Sequence, residues 1–433
     1  MDAEPCILGG KVPKVQWRDT EPQIQDVTPE LYPAVTQSFN FDYENTKISS
    51  LYTSTKEEKD MKAILLRFYP QIKDIYQYLS ALCPLNNIFC IGQSVFAEFA
   101  KTCNLVDDRF LKISDVDVIF FTMYTPLSKI QAEAAKAASK YLLRSQFIEA
   151  LVKISNEKFI KTGCTNSLSE AYERILLENV LPNFGNIEGS QWKSTRFLTE
   201  KCEIVVKKHW TILEHLYKQS INKKPSGLTI PNPPNLIFYR DFLNLIFASE
   251  IVNKIFTEKD VNVAFRMSLG FHNEDLNAEY NRNMMLNYNE FIESIARIAE
   301  KAGLVPVGEK DNDMKWTTKL RSVLPLHVKL EAILMILLKK GCNKEFIKGY
   351  KMVEKSEFEE DINQVFLAQM RGSAIYVDKD LGIKKNENKT YMKNYLQKAI
   401  NIAILMNKVT RNLMRHDVRK NEVDTPYHLE KSG

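Results

Sequence analysis

The chain has 433 residues, enough for two or three domains, and its 44% hydrophobic and 26% charged content excludes wholesale disorder. Only 15 Gly and 16 Pro exclude collagen-like and low-complexity classes and favour helices over many short strands. A net charge of +5, from 59 basic and 54 acidic residues, lacks the basic stripe of a dedicated nucleic-acid binder.

The longest apolar run, residues 332–338, falls far short of the roughly 20 residues of a membrane span, so neither nucleic acid nor membrane is expected as a partner. No basic start followed by an apolar stretch follows Met1, so no secretory signal is expected. The seven cysteines are odd in number and include no CxxC, which argues against zinc ribbons and a secreted disulfide framework and for reduced thiols in a cytosolic-type compartment.

Residues 1–55 space prolines and aromatics without a helical period: Pro13, Trp17, Pro29, Tyr32, Pro33, Phe39, Phe41. Proline blocks helix and pushes its predecessor towards extended backbone, so the segment reads as an extended N-terminal arm or a disordered tail. Its aromatics favour an arm that lies on a surface, with Trp17, Tyr32, Phe39 and Phe41 as interaction residues. From about Glu57 the helical period takes over. Phe68, Ile72, Ile75 and Leu79 share one face, and Pro70 is expected near that helix's first turn.

Two later stretches, 142–154 and 286–298, read alike, each with Phe-Ile-Glu at its centre. In four places an aliphatic residue stands five before a Phe: Ile91 and Phe96, Leu142 and Phe147, Ile237 and Phe242, Leu286 and Phe291. The second pair of these repeats the first at an offset of 146 (Phe96 to Phe242) and 144 (Phe147 to Phe291). A two-part unit therefore occurs twice, and a repeat constrains the fold before any single element does.

Helix, loop, one aliphatic residue, then a helix led by Phe: this pattern resembles an EF-hand, over roughly residues 61–305. The resemblance implies a mostly α chain with two tandem EF-hand-like pairs. The expected division is an arm at 1–55, lobe 1 at 56–195, lobe 2 at 196–305 and a C-terminal helical region at 306–433. It also implies that the aliphatic residues of sister loops pair in a short antiparallel bridge, Ile91 with Leu142 and Ile237 with Leu286. A calcium loop of this kind needs oxygens at positions 1, 3, 5 and 12 and Gly at position 6. The first loop offers Pro84, Asn86, Ile88 and Val95, and the second and third are no better. Only the fourth carries oxygens throughout, at Glu279, Asn281, Asn283 and Glu290, but Met284 stands where Gly is needed. These four are the candidate calcium ligands; otherwise no cofactor is expected.

In the C-terminal region Pro325 is expected to open a helix bearing Leu330, Ile333, Leu334, Leu337 and Leu338, ended by Gly341. A second helix is expected from the N-cap Thr390, followed by a basic end from Lys408 onward. No GxxxxGK[ST], GxGxxG or GxSxG occurs, and His209 and His215 are six apart, wrong for an HExxH pair. The expectation is a non-enzymatic scaffold that binds other proteins through apolar grooves and the arm. Degenerate hands of this sort resemble EF-hand-like structural proteins of ciliary axonemes, which suggests tubulin or axonemal subunits as partners in a cytoplasmic, ciliary setting. Alternatives are a calcium sensor using the fourth loop and an EF-hand-type regulatory subunit of a protein phosphatase.

Overall fold

The computed structural model describes residues 32–370, apart from 86–87, 108, 124–140, 185–186, 188, 222–234, 275–280, 311–312 and 314. Trp17, Glu279, the helix expected from Thr390 and the basic end lie outside these residues. The described chain is mostly helical, with three two-stranded antiparallel bridges.

The expectation of an extended arm to residue 55 fails over its second half. Tyr32–Glu44 forms helix α1, followed by a short helical turn at Ile48–Leu51. Val35, Ser38, Phe39 and Asp42 recur at helical spacing and are all buried, so one face of α1 belongs to the core. Pro33 sits in the first turn, where no intrahelical N–H bond is due.

Helix α2, Thr55–Leu82, starts at the cap residue Ser54, whose Oγ accepts from the Glu57 N–H. The Glu57 carboxylate accepts in return from the Thr53 N–H, closing the cap reciprocally. Pro70 lies inside this helix rather than in its first turn. An interior proline costs about 3 kcal/mol, and burial of Phe68, Tyr69, Ile72, Ile75 and Tyr76 around it offsets that cost.

After α2 a small hairpin, β1 (Pro84–Leu85) and β2 (Ile88–Phe89), leads to β3 (Ile91–Gly92) and α3 (Gln93–Thr102). Then come α4 (Ile113–Met123), β4 (Tyr141–Leu142) and α5 (Arg144–Ser155). The chain continues through α6 (Leu168–Ile175), α7 (Leu181–Phe184) and α8 (Ser190–Trp192), with wide helical turns at Asn156–Ile160, Leu176–Val180 and Lys193–Phe197. Next are α9 (Glu200–Lys208), α10 (Trp210–Ile221), β5 (Ile237–Phe238), α11 (Tyr239–Ala248), α12 (Glu258–Met267), β6 (Met285–Leu286) and α13 (Tyr288–Lys301). Helices α14 (Thr318–Val323), α15 (Leu326–Gly341), α16 (Lys344–Gly349) and α17 (Glu359–Met370) complete the described chain.

The two bridges that the resemblance implies are present. Ile91 stands opposite Leu142 and Ile237 opposite Leu286, all four fully buried. Helices α3 and α11 match residue for residue at the 146 offset, ten residues each. In the first half Phe96, Phe99, Phe120 and Phe147 meet in one core. In the second half Phe242, Phe265 and Phe291 do the same.

Each half is closed by the chain's own helices. The first core takes in Tyr172, Ile175, Leu176, Val180 and Phe184 from α6, α7 and the turn between them. The second takes α15, whose Leu330, Ile333, Leu334, Leu337 and Leu338 are all fully buried, as the sequence spacing indicates. Each such side chain contributes roughly 1.5–3 kcal/mol before entropy is counted. At the end of α15 a Cβ on Gly341 would come within 3.1 Å of the Leu216 and Leu245 side chains, so any larger residue there would have to push them aside by a few tenths of an ångström.

The halves are also joined. The first hairpin sends Phe89 into the second core, 4.9 Å from the Tyr239 ring and 5.8 Å from Phe265. Helix α2 packs along α12, where Gln77 Nε2 donates to the Leu269 carbonyl and Arg266 Nε to Ser80 Oγ.

Candidate functional site

The fourth loop runs into α13, whose cap is Asn287. Asn287 Oδ1 accepts from the Glu290 N–H at 2.9 Å, and Glu290 Oε2 accepts from the Asn287 N–H at 2.9 Å. The same carboxylate takes the Arg282 guanidinium at 2.6 Å on Oε2. On Oε1 it takes His272 Nε2 at 2.8 Å and the Gly270 N–H at 3.0 Å. Four donors thus satisfy one carboxylate that is almost entirely buried. Burial alone would raise its pKa; the His272 and Arg282 contacts outweigh that and hold it at about 2.

The neighbouring loop oxygens also face protein donors. Asn281 Oδ1 accepts from the Asn283 N–H, and Asn283 Oδ1 from Arg266 Nη1 at 2.9 Å. Each of the three oxygen-bearing side chains expected here as a ligand and described in the structure thus has a donor of this chain: a backbone N–H for Asn281, Arg266 for Asn283, and Arg282 among others for Glu290. Among the described residues no group of three or more His, Cys, Asp or Glu side chains is placed to hold a metal.

Beside this loop lies a buried charged brace. Arg144, the first residue of α5, donates through Nε and Nη2 to the Asp42 carboxylate of α1, and through Nη2 to the His272 carbonyl at 2.8 Å. Tyr69 Oη donates to Asp42 Oδ2 at 2.6 Å. The Arg144 N–H donates to Glu274 Oε2 at 2.8 Å, and Glu274 Oε1 accepts from Arg266 Nη2 at 2.9 Å. Burial by itself would lower the Arg144 pKa, but Asp42, Tyr69 and Glu274 outweigh it and keep the guanidinium charged. One connected network therefore ties α1, α2, α5, α12 and the fourth loop together.

Of the aromatic residues expected to meet a partner, Phe39 is buried inside this chain, edge-on to Tyr69 at 5.5 Å, and Phe41 is half-buried. Tyr32 opens α1. Helices α6 and α7 contribute to the first core and α15 to the second. Among the described residues, exposed large apolar side chains gather in and just before α4, at Phe110, Ile113, Val118 and Phe121, and stand singly at Ile204, Phe247, Ile255 and Val323.

Sequence reasoning missed Asp42, Arg144, Arg266 and Glu274. A signal existed: Arg144 follows Leu142-Leu143, and Arg266 stands between Phe265 and Met267, so each places a charge among core-facing positions. His209 and His215 each meet an aromatic side chain. His209 Nδ1 lies 2.8 Å from Tyr350 Oη, and burial pushes its pKa down to about 4, with Lys208 adding to the shift. His215 stacks on Phe346 at 4.0 Å.

No family model, no curated protein and no solved structure matches this chain. No described helix is long and apolar enough to cross a membrane.

Proposed function

We propose that the protein is a non-enzymatic scaffold built on two degenerate EF-hand-like lobes, which holds its shape without metal and binds other proteins. The observation that carries this reading is the Glu290 carboxylate, whose two oxygens are taken by Arg282, His272 and two backbone N–H groups. A fixed guanidinium in the fourth loop supports a structural part over a calcium-triggered one, because a sensor must present such oxygens to the ion. The closely similar spacing of the two bridged pairs, 51 residues from Ile91 to Leu142 and 49 from Ile237 to Leu286, supports the EF-hand-like reading. The exposed apolar face of α4 supports association, since patches of this kind mark contact surfaces. The ciliary setting, with tubulin or axonemal subunits as partners, rests on the family resemblance.

The test has two arms. Thermal unfolding in millimolar calcium and in chelator should give the same midpoint; a calcium-dependent rise would favour the sensor. Co-sedimentation with axonemal doublet microtubules should occur equally in both conditions. Absence of the chain from the pellet in both would remove the axonemal assignment.

A further inference from the structure

We propose that Cys83 and Cys90 form a dithiol that a peroxide closes to an intramolecular disulfide, clasping the hairpin that carries Phe89 into the second lobe. The register of the hairpin places them. Pro84 stands opposite Phe89 and Leu85 opposite Ile88, so one step outward Cys83 faces Cys90. Directly opposed residues in an antiparallel pair have Cβ atoms about 4.5–5.5 Å apart, close to the roughly 3.5–4.5 Å a disulfide spans.

A second observation fixes the direction of the Cys83 sulfur. A Cβ built on Gly92 would lie 3.0 Å from Cys83 Sγ, so the sulfur overlies that face of the following strand. Cys90 stands between β2 and β3, two residues before Gly92, and its thiol feels the Cys83 sulfur electrostatically, so the two sulfurs lie near one another and Gly92 leaves the room that Cys83 needs. Both thiols are free in this structure, Cys83 half-buried and Cys90 buried. Burial holds the Cys90 thiol well above its usual range, with Glu274 and Cys83 adding to the shift, so Cys90 is the slower of the two to meet an oxidant.

The chemistry balances with hydrogen peroxide as oxidant. The Cys83 thiolate attacks one peroxide oxygen, the O–O bond breaks, and the departing hydroxide takes a proton to become water. Cys83 is left as a sulfenic acid. The Cys90 sulfur then gives up its proton and attacks the Cys83 sulfur; the S–O bond breaks and a second water leaves. Two thiols lose two electrons and two protons, and one peroxide becomes two waters. The bond pins the hairpin that seats Phe89 against Tyr239 and Phe265, so oxidation fastens a contact between the two lobes.

The full chain treated with hydrogen peroxide, alkylated and cut with trypsin reports this directly. No Lys or Arg separates Asp74 from Lys101, so both cysteines fall on one peptide, residues 74–101. The expected product is that peptide, unalkylated and lighter by two hydrogens, restored to two alkylated cysteines by dithiothreitol. With Cys90→Ser the crosslink should vanish and a dimedone-reactive sulfenic acid should appear at Cys83. Exposed Cys164 serves as the internal control for oxidant exposure. The proposal is overturned if Cys164 is oxidised while Cys83 and Cys90 both remain alkylatable in the wild-type chain. It is equally overturned if Cys83 couples to a different cysteine.

Discussion

Asn104 and Glu250, 146 residues apart, hold the same turn in the two halves of the protein. They are the two non-glycine residues with positive φ among the described residues, at 50° and 59°. Each follows the end of a matched helix, α3 and α11, and three residues further on each linker has a polar side chain that caps its own turn. Asp107 Oδ1 accepts from the Phe110 N–H, and Asn253 Oδ1 accepts from the Phe256 N–H. The duplication thus extends into backbone conformation at a position where the two side chains differ.

Glutamate is poorly suited to left-handed backbone, which costs a residue with a Cβ roughly 1–2 kcal/mol. Glu250→Gly should stabilise the protein by up to about 1 kcal/mol, with its exposed contact to Lys340 contributing little in the other direction. Urea denaturation of the two chains checks this; no gain would mean that the turn is relaxed in solution.

Breaking the buried pair from one side should be severe. Asp42→Ala leaves Arg144 charged and without its carboxylate, for an expected loss of about 3–5 kcal/mol. Asp42→Leu combined with Arg144→Met should lose far less than the two single changes added together. A double-mutant cycle in denaturant measures the difference. Removing residues 1–55 takes away both Asp42 and Phe39, so the shortened chain should unfold with markedly reduced cooperativity, seen by calorimetry.

Arg282→Gln should lower stability by about 1–3 kcal/mol, because the buried Glu290 carboxylate loses a charged partner. If the guanidinium stands in for a cation, the variant should also show a calcium-dependent rise in melting temperature that the wild type lacks. An unchanged midpoint in Arg282→Gln would show that the contact carries no weight.

Acid should weaken the fold in two stages. His209 and His272 have folded pKa values below the ordinary 6.5, His209 at about 4, each through burial first. The unfolded chain binds protons there more readily, so their contribution is present above pH 6.5 and is lost as pH falls towards 4. For His209 this amounts to at most about 3 kcal/mol. Glu290, held at about 2 against an ordinary 4.5, contributes above pH 4.5 and is lost between 4.5 and 2. Denaturation midpoints at a series of pH values should show both limbs, and His209→Gln should flatten the upper one.

The sequence alone determined the features that follow from local periodicity. Leu330 to Leu338 had to lie on one helix face, and Phe96, Phe147, Phe242 and Phe291 had to lead helices, because apolar spacing fixes which side of a helix can be buried. The Ile91–Leu142 and Ile237–Leu286 bridges were legible too, through the resemblance to an EF-hand, in which the aliphatic residues of sister loops pair. What tertiary structure decided is everything that depends on partners distant in sequence. Pro33 and the scattered aromatics hid α1, whose buried face packs into the first core and meets Tyr69 and Arg144 there. The fourth loop's carboxylate reads as a cation ligand in sequence, yet its donors come from residues 270, 272, 282 and 287. A hydrogen bond or a packed face is satisfied by whichever group arrives in space, and spacing along the chain does not specify that group.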